Sequence, residues 1–299
     1  MEFNRRNLFR MAGVAGGAAL LPRKAEADMA VAAGERTDGY AILVDLSRCV
    51  GCRTCEAACA EANGLPEPDW SDDFSYESER STSETQWTAV NRYETSKGEV
   101  FVKRQCMHCL QPACAAGCLT KALYKTEEGP VIWREDKCMG CRFCMVSCPF
   151  DAPKFEYHSA VPKIQKCRMC WERLAEGETP ACVENCPGEA LAFGRRSEML
   201  KLARERIVQN PETYVDHIYG EHEAGGTGVL YISPVPFEEL GFRTDLDREA
   251  YPEKTRDFLT AVPVVLVLWP AMMLALRRAG DREEEEPGAA TGSDGAEEV

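Results

Sequence analysis

All sixteen cysteines of this 299-residue chain lie between positions 49 and 186, in four groups of four with none left over. The first group is Cys49, Cys52, Cys55 and Cys59, spaced C-x2-C-x2-C-x3-C. The second is Cys106, Cys109, Cys114 and Cys118, spaced C-x2-C-x4-C-x3-C. The third is Cys138, Cys141, Cys144 and Cys148, spaced like the first and followed by Pro149. The fourth is Cys167, Cys170, Cys182 and Cys186, spaced C-x2-C-x11-C-x3-C and followed by Pro187. Disulfides suit an even count in an exported chain, but cysteines two residues apart, three in succession, close loops too small for relaxed disulfide geometry. Zinc asks for a pair, a long spacer and a second pair. Groups two and four can be forced into that pattern, and groups one and three cannot.

The C-x2-C-x2-C-x3-C-P run is the spacing with which bacterial proteins hold [4Fe–4S] clusters. Three thiolates wrap one cubane, and the fourth cysteine starts an outgoing segment that serves a second cluster. Four groups then make four clusters with exchanged ligands. Groups two and three pair, so that Cys106, Cys109 and Cys114 join Cys148, and Cys138, Cys141 and Cys144 join Cys118. Groups one and four pair around them: Cys49, Cys52 and Cys55 take Cys186, while Cys167, Cys170 and Cys182 take Cys59. The proline after the last cysteine is missing at Ala60 and Leu119, which bears on the local turn there rather than on ligation.

Short apolar runs at Gly129–Trp133 and Ala190–Gly194 read as strands beside groups three and four. Strand, cluster loop, short helix and strand in repetition give an α+β fold: duplicated ferredoxin-like two-cluster modules with loop insertions. Residues 66–86 carry seven acids and read as a surface insertion, a solvated loop in preference to a docking site for a partner. Ser197–Gln209 reads as an exposed helix of mixed charge. Gly225–Gly228 reads as a plain turn before a strand at Val229–Ile232, since no helix follows to make a phosphate site.

Both ends carry addresses. Arg5 and Arg6 precede an uncharged Ala- and Gly-rich stretch from Met11 to Pro22, then Arg23, Lys24 and Ala25-Glu26-Ala27. This is the layout of an export signal of twin-arginine type, residues 1–27, cleaved after Ala27. Leu8-Phe9 inverts the commonest order after the arginines. Twin-arginine export moves folded chains, in keeping with a cofactor inserted in the cytoplasm. Near the other end, Phe258–Leu276 is 19 residues without a charge, roughly 28 Å as a helix against a hydrocarbon core of about 30 Å. Arg277 and Arg278 follow, so the positive-inside rule puts the C-terminus in the cytoplasm and the body outside. Pro263 and Pro270 are tolerated in such a span. Residues 277–299 read as an acidic cytoplasmic tail. The organisation expected is thus 1–27 signal, 28–257 four-cluster domain with an inner module at 100–157 and an outer module of groups one and four, 258–276 transmembrane helix and 277–299 tail.

With 44% hydrophobic and 28% charged residues the chain is neither disordered nor a multi-span membrane protein. Its net charge of −14 argues against nucleic acid as partner. No nucleophile–base arrangement or carboxylate pair stands out, so no substrate chemistry is expected. Of the four histidines, His108 sits in a cluster loop where it either packs or hydrogen-bonds near sulfur and tunes potential. His158, His217 and His222 have no ligand spacing and belong on the surface. The span has no histidine for a membrane haem. Lys103, Arg104, Lys137, Lys166 and Arg168 adjoin the ligand loops, to offset cluster charge or to face solvent.

The strings Leu46-Ser47-Arg48-Cys49-Val50-Gly51-Cys52, Lys103-Arg104-Gln105-Cys106-Met107-His108-Cys109 and Cys141-Arg142-Phe143-Cys144-Met145-Val146-Ser147-Cys148-Pro149-Phe150 resemble the iron–sulfur subunits of membrane-bound oxidoreductases. So does Ile218–Thr227. Formate dehydrogenase beta subunits and the partners of polysulfide, tetrathionate and dimethyl sulfoxide reductases belong to this group. With its own export signal and one C-terminal span, the chain is most similar to the hydrogenase 2 type of subunit. The resemblance implies a membrane-anchored relay on the periplasmic side of the cytoplasmic membrane. Single electrons would pass through four [4Fe–4S] clusters between a hydrogenase catalytic subunit and an integral, quinone-linked membrane subunit. The alternative it leaves open is the beta subunit of a molybdenum or tungsten enzyme, such as formate dehydrogenase or a polysulfide-type reductase.

Overall fold

A computed structural model of the chain describes residues 38–70 and 79–284. The expected signal at 1–27, the middle of the acidic insertion at 71–78 and the end of the tail at 285–299 lie outside the described residues. The chain divides into a unit ending at Ala250 and a second beginning at Tyr251.

The first unit mixes short helices and strands. Its main sheet has three strands, with β1 (Tyr40–Asp45) between β8 (Leu191–Arg195) and β9 (Val229–Ile232). β1 runs antiparallel to β8, with Val44 opposite Leu191, and parallel to β9, with Asp45 opposite Ile232. From Ala41 to Asp45 every residue of β1 is buried, as expected of a central strand covered on both faces. The period of two divides it. Ala41 and Leu43 join Leu230 and Ile232 under the helix α6 (Arg196–Gln209), which contributes Met199, Ala203 and Ile207 at four-residue spacing. Ile42 and Val44 line the cysteine cavities described below. The mixed charge of 197–209 therefore conceals one buried face on a helix expected to be exposed.

Three antiparallel ribbons complete the unit. The longest is β2 (Ala89–Thr95) with β3 (Gly98–Arg104). The others are β4 (Leu123–Lys125) with β5 (Val131–Trp133), and β6 (Lys154–Phe155) with β7 (Ile164–Gln165). Around the short ribbons, Leu123, Val131 and Ile164 form a small core whose other buried members are Cys114 and Cys144. Strands fall at 131–133, 191–195 and 229–232, where the sequence places them, and 223–228 is a turn.

Among the described residues the second unit is one helix, α7 (Tyr251–Glu284). Its stretch Tyr251–Arg278 is long and apolar enough to cross a membrane, and none of its most apolar window is buried. The expected span 258–276 lies inside it. The helix continues past Leu276 because Arg277, Arg278 and the glutamates that follow are good helix formers, so the described start of the acidic tail is helical.

Candidate metal centres

Each cysteine group is a tight loop leading into a short helix. Group one leads into α1 (Thr54–Asn63) and group three into α3 (Phe143–Ser147). The two loops repeat each other in sequence, C-x-G-C-R-x-C, and in backbone. Gly51 and Gly140 both have φ +69°, and Arg53 and Arg142 have φ +59° and +61°. Left-handed residues at alternate positions turn successive amides toward one side, making a concavity suited to an anionic group. An arginine in that conformation is strained and needs support from its surroundings. Arg53 has it: its side chain reaches the buried Glu56 carboxylate at 2.9 Å and the Asp69 carbonyl at 3.0 Å. Glu56 also accepts from Arg80 at 2.8 Å and from the Val90 amide at 2.6 Å, so it ties α1 to the β2–β3 ribbon.

Group two leads into α2 (Ala113–Ala116). Group four is split, with α4 (Trp171–Ala175) after its first pair and α5 (Ala181–Glu184) carrying Cys182. All sixteen cysteines are free. One cavity is lined by Cys49, Cys52, Cys55 and Cys186, and another by Cys59, Cys167, Cys170 and Cys182. The two remaining sets are marked by electrostatic repulsion among their thiols: Cys109 and Cys114 with Cys106 and Cys148, and Cys144 with Cys118, Cys138 and Cys141. The two outer quartets expected from the spacing thus each line one cavity, with partners more than a hundred residues apart, while the inner cysteines lie close enough to repel one another.

These quartets fit an iron–sulfur cluster. Burial, and then repulsion from neighbouring sulfurs, pushes the Cys167 and Cys114 thiols up to about 12. Thiols crowded against one another, with at least one of each quartet buried, do not ionise together unless a cationic core joins them. Soft thiolate sets of this kind select iron–sulfur centres or zinc. Backbone amides already point at sulfur, with Met169 N–H donating to Cys167 Sγ at 3.3 Å and Leu123 N–H to Cys118 Sγ at 3.5 Å. At Cys118 burial acts upward, but the hydrogen bonds from Leu123 and Thr120 outweigh it and hold the thiol below its ordinary value.

The basic residues that the sequence left undecided separate cleanly. Lys103 is buried and lines both cavities of the outer quartets, bonded to Gln105. Burial alone would lower it, but the sulfurs of Cys182, Cys55 and Cys167 raise it overall, so it stays a cation. Lys166 is buried too, its ammonium bonded to the Val131 and Cys167 carbonyls. Lys137 is exposed, and Arg104 and Arg168 are half-buried. Arg104 stacks on Phe242, and Arg168 lies over Trp87 while paired with Glu172. Lys125 was not singled out by the sequence. It bonds the His108 and Gly129 carbonyls beside group two, and no local spacing signals it.

His108 is fully buried, while His158, His217 and His222 are exposed. An open cleft of about 670 Å³ is lined by His217, His222, Arg204 and Glu223 among others and by no cysteine.

Residues 98–196 match the family model described as a 4Fe-4S dicluster domain. A protein of Nitratidesulfovibrio vulgaris is 46% identical over 280 residues, 90% of this chain and 76% of its own length. Hydrogenase-2 operon protein HybA of Escherichia coli O157:H7 is 35% identical over 233 residues, 67% of this chain and 71% of its own. The iron-sulfur subunit of the nitrate-inducible formate dehydrogenase of Escherichia coli strain K12 is 32% identical over 197 residues, 64% of this chain and 66% of its own. Four [4Fe–4S] clusters account for the sixteen cysteines, and the chain belongs to the family of iron–sulfur electron-transfer subunits that serve oxidoreductase complexes without being the catalytic subunit.

Proposed function

We propose that this chain is the membrane-anchored, periplasmic-side electron relay of a hydrogenase. Each crossed quartet holds one cluster: Cys49, Cys52, Cys55 with Cys186; Cys167, Cys170, Cys182 with Cys59; Cys106, Cys109, Cys114 with Cys148; and Cys138, Cys141, Cys144 with Cys118. The observation that carries this reading is the pair of cavities, each lined by three cysteines of one group and the last cysteine of another. Bound there, each cluster takes up and passes on one electron.

The chain's own residues set the order of the sites. Electrostatic repulsion couples Cys55 of the first quartet to Cys182 of the second, Cys167 to Cys106 of the third, and Cys114 to Cys144 of the last, which supports that order. The resulting line has its exposed ligands at its two ends, Cys52 and Cys141. Electrons enter and leave where partners can approach. Groups two and three make an inner module over 100–157 within the domain 28–257, with groups one and four making the outer one. The helix residues 258–276 anchor the chain in the bilayer next to an integral, quinone-linked subunit, with 277–299 in the cytoplasm. Residues 1–27 direct twin-arginine export.

Likeness to both hydrogenase and formate dehydrogenase subunits supports a second reading, a molybdenum or tungsten partner. Elemental analysis of the complex extracted gently in detergent decides between them. Iron is expected at about 16 atoms per copy from this chain, four clusters of four, together with nickel. Molybdenum or tungsten without nickel would move the assignment to the formate dehydrogenase class. Cys186→Ser should perturb the cluster of Cys49, Cys52 and Cys55, and loss of a group-two or group-three cluster instead would overturn the pairing.

A further inference from the structure

His108 stands at the seam between the outer and inner quartets. Its backbone belongs to the group-two loop between Cys106 and Cys109, in the left-handed region at φ +47°. Its ring leaves that loop. Nε2 lies 3.5 Å from Sγ of Cys167, a group-four residue 59 positions away. On the other edge of the ring, the Val131 amide donates to Nδ1 at 2.9 Å.

That second bond settles the tautomer. A backbone N–H only donates, so Nδ1 is the bare acceptor and the single ring proton sits on Nε2. Nε2–H therefore points its proton at sulfur. The surroundings close a ring of contacts that fixes the imidazole. Lys166 bonds both the Val131 and the Cys167 carbonyls, and Lys125 bonds the His108 carbonyl. On the side of the turn, Gly228 N–H donates to the His108 carbonyl at 3.1 Å, and a Cβ on Gly228 would meet that oxygen at 3.1 Å and the His108 Cβ at 3.3 Å. The Gly225–Gly228 turn is thus a backbone clamp on this loop.

We infer that His108 is a positioning residue that donates an N–H···S hydrogen bond across the seam to Cys167, raising the reduction potential of the cluster held by Cys59, Cys167, Cys170 and Cys182 while its own loop serves the neighbouring cluster. The inference rests on the cysteine assignment proposed above. A donor at a ligand sulfur favours the reduced, more negative form of a cluster, and hydrogen bonds to sulfur are among the determinants of cluster potential. The same side chain also couples the two sites mechanically, because moving the group-two loop moves the donor on the group-four sulfur.

The test uses the complete, cluster-loaded chain in its complex, with three measurements. Iron content first establishes four clusters per copy in wild type, and Cys170→Ser identifies the redox signal of the group-four cluster. A low iron count, or a Cys170→Ser effect on a different cluster, overturns the cysteine assignment itself. Given that assignment, redox titration followed by electron paramagnetic resonance is compared for wild type, His108→Leu and His108→Gln. His108→Leu should make the group-four cluster harder to reduce by about tenfold in its one-electron equilibrium, about 59 mV. His108→Gln keeps an N–H at nearly the same reach and should restore most of that shift. An unshifted group-four cluster in the leucine variant, or a shift confined to the group-two cluster, overturns the inference. Should either variant fail to assemble, wild-type chain labelled with 15N-histidine gives the answer alone. The poised group-four signal should show a 15N coupling, and its absence overturns the hydrogen bond while leaving the relay in place.

Discussion

The outer and inner quartets, alike in the ligand plan proposed for them, differ in what surrounds them. The outer cavities are walled by β1 and β3, strands belonging to a three-stranded sheet and a seven-residue ribbon, with Ile42, Val44 and Lys103 facing the sulfurs. The inner quartets sit among ribbons of two and three residues per strand, and cysteines themselves fill part of that core. Ribbons so short have no independent stability in water. At the far inner site Leu119 and Val146 are 88% and 82% exposed, and Met139 and Phe143 are exposed beside Cys141. The outer half thus surrounds its cysteines with a sheet and a long ribbon, whereas the inner half counts its cysteines among the few residues of its core.

The largest effect expected from this difference is on removing one exposed ligand from each half. Cys52→Ser and Cys141→Ser should each cost about four iron atoms per chain if the whole cluster is lost. Hydrogen exchange should then part them. In the Cys141 variant the protection of 123–133 and 154–165 should fall to about zero free energy, that of freely opening segments. In the Cys52 variant the β1 amides should keep most of theirs, because α6 still covers Ala41 and Leu43. Equal loss of protection in both halves would erase the distinction.

A second prediction sharpens it within the outer half. Glu56 is buried, and Arg53, Arg80 and the Val90 amide depend on it. Glu56→Gln removes the buried carboxylate charge facing Arg53 and Arg80 and should cost about 3–5 kcal/mol, a fall in unfolding midpoint of roughly 2–4 °C per kcal/mol. On the solvent side of the same ribbon, Arg92 and Glu99 pair at 2.9 Å with both side chains partly exposed. Glu99→Gln there should cost less than about 1 kcal/mol. Thermal unfolding of the loaded chain reads both, and similar losses would mean that burial does not govern these pairs.

The ligand framework was legible because cluster loops are local. C-x2-C-x2-C sets three cysteines within seven residues, and the exchanged fourth ligand belongs to the proposal above. Strands at 131–133, 191–195 and 229–232 were legible for the same reason, as short apolar runs next to turns. What the sequence left open were contacts made across the fold. Lys103 and Lys137 look alike in the chain, yet one lies on the buried face of β3 and the other in an exposed turn. The partner of His108 is 59 residues away and that of Glu56 is 34, and no periodicity encodes either. The helix at 196–209 was misjudged because its buried face holds only Met199, Ala203 and Ile207 among many charges.

The smallest effect expected concerns the exposed pair that braces the turn leading to Gly228. His217 Nε2 lies 2.8 Å from Glu223 Oε1, and the Gly220 amide donates to the other oxygen of Glu223 at 2.6 Å. The hydrogen bond that His217 donates to Glu223 raises the imidazole above its ordinary 6.5. Burial acts upward on Glu223, but the bonds from His217 and the backbone outweigh it and hold the carboxyl below its ordinary 4.5. A raised histidine stabilises the fold fully below its unfolded value and loses that contribution as pH climbs through its folded value. A lowered carboxylate stabilises above its unfolded value and loses that as pH falls through its folded one. Both contributions therefore overlap between about 4.5 and 6.5, the ordinary values of the two groups. With nearly half of the His217 side chain in solvent, screening limits the pair to less than about 1 kcal/mol. The stability gap between wild type and His217→Ala should be widest near pH 6 and close by about pH 9. A gap that stays constant across that range would mean that the His217 ring, packed edge-on at 5.2 Å from Phe237, acts by packing and not by charge.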